Sequence, residues 1–404
     1  MLRLFESAIV LHLRESKQLP VILALGTTQT LAWASSYYLP AILADPIAHE
    51  LGISVNWFFA FFSAALVISG LLGPRVGRQI DLVGGRQVLS ISNLVFAAGL
   101  ATLGSAHSLL VLSAAWLMLG VGMGLGLYDA AFGALGRIYG DKARSAITGI
   151  TLLAGFASTI GWPLSAWGFE TIGWRNVCFA WAVAHIAIGL PLNLFFLPQV
   201  ARSATPEINR PKPHIPIDRT MILLGFTFAA GWTVAGAMAA HLPRILEAAG
   251  ATSVQAVAAG AFIGPAQVLA RIVEASFLNR YHPLISARLA CLTHPIGAAI
   301  LAMSGGVGAI AFAIFHGSGN GILTIARGTL PLAIFGPDNY GYRLGILGAP
   351  SRVLQAMAPL AFSVLIDWMG AGVLMVTSVL SLSAFAAMCL VRAKAPAAAS
   401  VAVN

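Results

Sequence analysis

Apolar residues along this chain come in long blocks rather than in alternation. A helix rising 1.5 Å per residue needs roughly 20 apolar residues to cross a bilayer core. About twelve blocks meet that length, over 19–44, 55–76, 87–105, 109–136, 145–169, 176–197, 219–243, 253–275, 286–305, 307–327, 343–366 and 371–392. The inside-out alternation of a membrane barrel is missing, and an open strand edge cannot persist in lipid. The pattern predicts an all-α polytopic membrane protein with twelve transmembrane helices.

The gaps between blocks sort by charge. Alternate gaps carry Arg75, Arg78, Arg86; Arg137, Lys142, Arg144; Arg202, Arg210, Lys212, Arg219; Arg280, Arg288; and Arg327, Arg343. The intervening gaps carry only Arg175 and Arg244. Cytoplasmic loops are the basic ones, so both the N and C termini are predicted cytoplasmic, and the expected location is the plasma (inner) membrane. Residues 1–18 read as a cytoplasmic amphipathic segment, and residues 393–404 as a cytoplasmic tail. Residues 198–218 hold five prolines among polar and basic residues and read as a cytoplasmic linker. The linker separates 19–197 from 219–392, and the two parts echo each other. Leu39-Pro40 recurs as Leu242-Pro243, Gly122-x-Gly124-x-Gly126 as Gly317-x-Gly319-x-Gly321, and Pro163-Leu164 as Pro359-Leu360. Three pairs in register imply two pseudo-symmetric six-helix bundles.

Composition removes the other classes. Of 404 residues, 9% are charged and 58% apolar, against about 25% charged in a soluble domain. The net charge of +9 is spread over the gaps as topology signals, so no nucleic-acid partner is expected; the bilayer itself is. Cys178, Cys291 and Cys389 form no disulfide framework or metal spacing, no nucleotide-binding glycine loop occurs, and no cofactor is expected.

The segment Gly77-Arg78-Gln79-Ile80-Asp81-Leu82-Val83-Gly84-Gly85-Arg86 follows the second block. It resembles the signature loop of the major facilitator superfamily, although Leu82 and Gly85 stand where that family often has basic residues. Gly77 suits close helix approach. Asp81 can cap a neighbouring helix or pair with an Arg. Arg86 can anchor at the interface and pair in turn. The resemblance implies a latch that shuts the inner side. A second likeness, carried by Ala240-His241-Leu242-Pro243, Gly173-Trp174-Arg175, Gly264 and Arg271, is to the monocarboxylate-porter and oxalate–formate-exchanger branch. That likeness implies that Arg271, and for some members a helix-11 cation such as Arg352, pairs with a substrate carboxylate.

Physics alone also singles out these residues. An Arg deep in a membrane helix costs several kcal/mol unless it faces partners or a wet cavity, and its planar fork suits carboxylates. Glu274, one turn from Arg271, offers an internal partner. Asp129 and Glu274 are intramembrane carboxylates suited to proton coupling or gating, with Asp129–Arg352 or Asp129–Arg137 pairing as the structural alternative. Gln29, Trp33 and Tyr37 share one face of the first helix and, with Trp232, suit a cavity wall. His241 is a candidate pH sensor or an interfacial packing residue. Asn320, with His316, is a candidate cavity residue beside glycines that also suit packing.

The leading expectation is a secondary transporter, not an enzyme, for a small anionic solute of monocarboxylate type. It would work by rocker-switch alternation with proton coupling as a further expectation. Efflux of drugs or metalloid oxyanions is the alternative; an intramembrane enzyme and a non-transporting receptor are remote ones. A reporter fused after Asn404 is expected to read as cytoplasmic; an external signal would overturn the topology.

Overall fold

The computed structural model describes residues 18–200 and 213–392. The expected amphipathic segment up to Lys17, much of the linker and the C-terminal tail lie outside the described residues. Among the described residues there are helices and short turns and no strand. Among the described residues seven segments are long and apolar enough to cross a membrane, and three of them contain internal breaks.

In chain order the helices are α1 (Leu19–Ala32), α2 (Pro40–Glu50), α3 (Val55–Val83), α4 (Gly85–Gly104), α5 (Leu109–Gly126), α6 (Tyr128–Tyr139), α7 (Ala143–Ala154), α8 (Ala157–Ala184) and α9 (Leu190–Phe196). After the linker come α10 (Arg219–Ala248), α11 (Ser253–Ser276), α12 (Pro283–Ser304), α13 (Ala309–Phe335), α14 (Tyr340–Met369) and α15 (Val373–Leu390). Between α1 and α2 the chain makes a π-helical turn, Trp33–Tyr37, and a second one, His185–Gly189, joins α8 to α9. Such wide turns recur at functional sites because they re-aim side chains. The α5/α6 break at Leu127, with extended backbone (ψ −174°), starts a new helix just ahead of Asp129.

Two of the boundaries that differ from the sequence expectation bear on the site. The second block continues as helix to Val83, so Gly77 and Asp81 sit on α3 and the turn shrinks to Gly84, whose φ of +86° suits glycine. The tenth block also runs on, to Phe335. Arg327 is therefore not a loop residue: it lies inside α13 and is 3% exposed. The apolar run Leu330–Phe335 carries the helix past the charge, because that charge has a partner.

The helices of 19–197 pack on one another, as do those of 219–392, and the apolar core of the first half also takes in Leu332, Tyr340, Leu344 and Ala356 from the second. They meet along a seam where α3 lies against α14, α6 against α14, and α7 against α11 and α13. Glycines let α3 and α14 touch backbone to backbone. A Cβ on Gly77 would overlap the Gly341 carbonyl, and one on Gly73 would sit 3.2 Å from the Gly345 carbonyl oxygen. In lipid no hydrophobic drive joins helices, so close van der Waals fit of this kind holds the seam. Gly77→Leu is expected to cost about 1–3 kcal/mol by overpacking, read as a lower melting temperature in detergent. Leu71→Ala, on an exposed face of the same helix, should leave the melting temperature unchanged. Equal melting of both variants would contradict the tight seam.

Candidate functional site

An aromatic cluster with two guanidinium groups occupies the middle of the seam. The π turn after α1 directs Trp33 inward, where it is 3% exposed. Trp232, from α10 in the other half, lies parallel to it, with planes 3° apart and centroids 6.3 Å apart. Tyr37 meets Trp33 edge-on at 5.2 Å, and Tyr128 tilts against it at 5.0 Å. The Arg352 Cζ stands 5.6 Å from the Trp33 ring and 5.0 Å from the Trp232 ring. Arg352 is 2% exposed, and its Nη1 donates to Gln355 Oε1 at 3.2 Å. Gln355 Nε2 in turn donates to the Tyr37 hydroxyl at 2.8 Å, closing a polar path across the seam. Aromatic faces attract a cation but do not neutralise it.

Arg327 approaches the same Trp232 ring at 5.2 Å and donates from Nη2 to Asp129 Oδ2 at 2.7 Å. Asp129 is therefore paired across the seam with Arg327, not with Arg352 or Arg137. Its other oxygen, Oδ1, has no partner among the described residues, and the residue lines a cavity of about 10 Å³ with Ser69, Gly73 and Gly345. Gln29, one turn before Trp33, donates to the Gly126 carbonyl at 2.6 Å and leaves Oε1 unpaired.

Arg271, 4% exposed, does not pair with Glu274. Its Nη1 donates to the Thr151 carbonyl at 3.0 Å in the opposite half, and its Nε to the Gly321 carbonyl at 3.4 Å. Gly155 leaves the room that this guanidinium occupies. Among the described residues neither Arg271 nor Arg352 has a carboxylate partner.

One end of the seam is tied by polar contacts between the halves. Asp81 Oδ1 accepts from the Gly341 N–H at 2.9 Å and Oδ2 from the Tyr342 N–H at 2.7 Å. A carboxylate on the unpaired N–H groups of a helix start is favoured by both hydrogen bonding and the helix dipole. Arg144 Nη2 donates to the buried Glu274 Oε1 at 3.3 Å, and its Nη1 to the Tyr281 carbonyl at 2.8 Å. Arg86 is half-exposed at the start of α4 and makes no side-chain hydrogen bond among the described residues, so the expected pairing of Arg86 is not formed.

At the other end the ion pairs stay within a half. Arg175 donates to Glu50 Oε1 at 2.8 Å and to the Gly104 and Ala106 carbonyls, and Arg244 pairs with Asp367. Hydrogen bonds from the Trp174 indole and then Arg175 hold the Glu50 carboxyl below its ordinary pKa. The seam is thus fastened at the Asp81 end and not by charge at the Glu50 end.

Two candidates stand apart from this centre. His241 Nε2 bonds the Pro359 carbonyl at 2.7 Å, a packing contact between α10 and α14. Asn320 lines a cavity of about 40 Å³ inside the second half, near the hydrogen-bonded pair His294 and His316. Sequence reasoning missed Arg327 and Arg144 as members of the charged seam. The apolar run after Arg327 was the available signal for the first; nothing local marks the second.

The description Major Facilitator Superfamily belongs to the family model that matches residues 25–324. The chain is 28% identical over 311 residues to human solute carrier family 2, facilitated glucose transporter member 10, covering 67% of this chain and 53% of that protein. It thus spans about half the length of that curated relative. It is 27% identical over 353 residues to an uncharacterized 38 kDa protein in the 23S RNA operon of Thermoproteus tenax, covering 79% of this chain and 89% of that one. The solved structure of the human organic anion transporter MFSD10 (TETRAN) shares the fold with a TM-score of 0.72 at 14% identity, covering 93% of this chain and 100% of that one. With the family model matching well over half of the sequence and the helical seam in agreement, the chain belongs to the major facilitator superfamily as a multi-pass helical membrane protein.

Proposed function

We propose that this protein is a secondary transporter that carries a small organic anion, of monocarboxylate type, by rocker-switch alternating access. The reading includes twelve spans in two six-helix bundles, cytoplasmic termini and placement in the plasma membrane. One observation carries it: Arg271 and Arg352 are buried at the seam between the halves, and among the described residues neither forms an ion pair. An unbalanced buried charge costs several kcal/mol after relaxation. An anion that enters between the halves relieves that cost, and the guanidinium fork meets a carboxylate with two parallel hydrogen bonds.

The same seam supplies the moving part. The Asp81 and Arg144 contacts hold one end shut, so in this arrangement the passenger would enter from the Glu50 end, the external side in the proposed topology. Opening the Asp81 end must break Asp81 from α14 and Arg144 from Glu274. Asp129 and Glu274 each keep one carboxylate oxygen unpaired, which supports their proposed part in proton coupling. The aromatic walls around Arg352 support a second reading, export of amphipathic compounds, that uses the same site in the opposite direction.

Lactate uptake by purified protein in liposomes tests the anion site. Arg271→Gln and Arg352→Gln are each expected to lower it at least about tenfold, the loss typical of a missing charged hydrogen bond. Uptake at the parent rate in both variants would remove the basis for an anionic passenger. The latch is tested by stability. Arg144→Gln strands the buried Glu274 charge and is expected to cost about 3 kcal/mol, whereas Arg144→Gln with Glu274→Gln should recover much of it. Additive losses in the melting temperatures would show that the two residues are not coupled.

A further inference from the structure

Charge alone does not explain which side chains gather at the seam. Trp33 and Trp232 come from opposite halves and lie within 3° of parallel. Around them sit unpaired polar groups of both kinds. The donors are Trp33 Nε1, Arg352 Nε and Arg327 Nη1; the acceptors are Gln29 Oε1 and Asp129 Oδ1. Trp33, Arg352, Arg327 and Gln29 are each at most 3% exposed. Gln29 lies one turn before Trp33, and Asp129 follows Tyr128, which packs on Trp33 at 5.0 Å. The Arg352 and Arg327 guanidiniums stand at these rings, and Asp129 joins them through its bond to Arg327. Native interiors leave few such atoms, and a cluster of them calls for an explanation.

We propose that the passenger is a planar aromatic carboxylate whose ring carries a hydroxyl group. This rests on the anion-transport reading above and narrows it. When the halves part at the centre, the two indole faces separate. A flat ring entering between them covers both faces at once, whereas a short aliphatic acid covers little of either. The carboxylate accepts from Arg352, whose guanidinium already stands beside both rings, with Trp33 Nε1 and Arg327 Nη1 as further donors. The ring hydroxyl donates to Asp129 Oδ1 or Gln29 Oε1, which otherwise have nothing to accept from. A site built to hydrogen-bond a hydroxyl discriminates against the analogue that lacks it, because its own polar atoms are then left unpaired. Because one indole belongs to each half, a ring between them contacts both halves at once.

The experiment measures binding of three monoanions to the purified full-length protein in nanodiscs by calorimetry. The probes are 4-hydroxybenzoate, benzoate and cyclohexanecarboxylate, with lactate exchange in liposomes measured in parallel. The expected order of affinity is 4-hydroxybenzoate, then benzoate, then cyclohexanecarboxylate, with about tenfold between benzoate and its saturated counterpart for two stacked faces. Trp232→Leu should bring that ratio close to one, and Trp232→Phe should restore it. Equal affinity for benzoate and cyclohexanecarboxylate in the parent protein would overturn the aromatic slot. Equal affinity for benzoate and 4-hydroxybenzoate would overturn the hydroxyl contact. Lactate exchange without binding of any ring probe would reject this inference and leave the anion reading standing, while no binding and no exchange of any of the four would reject both.

Discussion

A guanidinium group inside a membrane protein must be balanced or hydrated, and this constraint organises the whole molecule. Among the described residues three buried arginines, Arg271, Arg327 and Arg352, sit at the seam between the halves. Arg327 is balanced by Asp129 across the interface. Arg271 leans on two backbone carbonyls, and Arg352 on one amide and two indole faces. Dipoles and ring faces lower the cost of burial without cancelling the charge. Three guanidiniums and one carboxylate leave the centre with an excess of positive charge, which acts on an anion more strongly there than in water. The walls around it have the two-part character that fixes a ligand's orientation: apolar aromatic surface with a few polar groups.

What lets such a centre work in a cycle is the construction of the seam. Where α3 crosses α14 glycines let the halves touch through backbone, while Tyr340 of α14 seats its ring over Gly136 of α6. At the Asp81 end the contacts that oppose separation are polar, Asp81 on the start of α14 and Arg144 on Glu274, and at the centre Arg327 on Asp129 and Gln355 on Tyr37 add to them. Polar contacts at the seam rim can be exchanged for water at moderate net cost, since a hydrogen bond to a charged group contributes about 1.5–3 kcal/mol net. The apolar core of the first half reaches across the seam to Leu332, Tyr340, Leu344 and Ala356, while the other apolar clusters lie within the second half. Rigid halves with an exchangeable seam are what a two-state rocking element needs.

Much of this was legible in the residues themselves. The apolar blocks placed the helices, because only a helix satisfies its backbone in lipid. Trp33, Arg271 and Arg352 stood out because an aromatic face or a charge inside an apolar block needs a reason. Asp81 was read as a helix cap, and it caps α14. The failures share a cause. Arg327 was assigned to a gap because hydropathy stops at a charge, whereas the helix continues where an Asp from the other half meets it. The Arg144–Glu274 pair joins residues 130 positions apart, and no local pattern encodes a contact that long. Arg271 appeared able to pair with its neighbour Glu274, yet both reach across the seam instead.

The central claim, that unbalanced buried cations await an anion, is tested most directly by the melting temperature of the purified protein titrated with benzoate at constant ionic strength. A ligand that binds only the folded state stabilises it by about 2.7 kcal/mol at one hundred times its dissociation constant. The account predicts a saturable rise with the carboxylate and none with benzylamine, a cation of similar shape. An equal response to the two, or a rise with the cation alone, would contradict it.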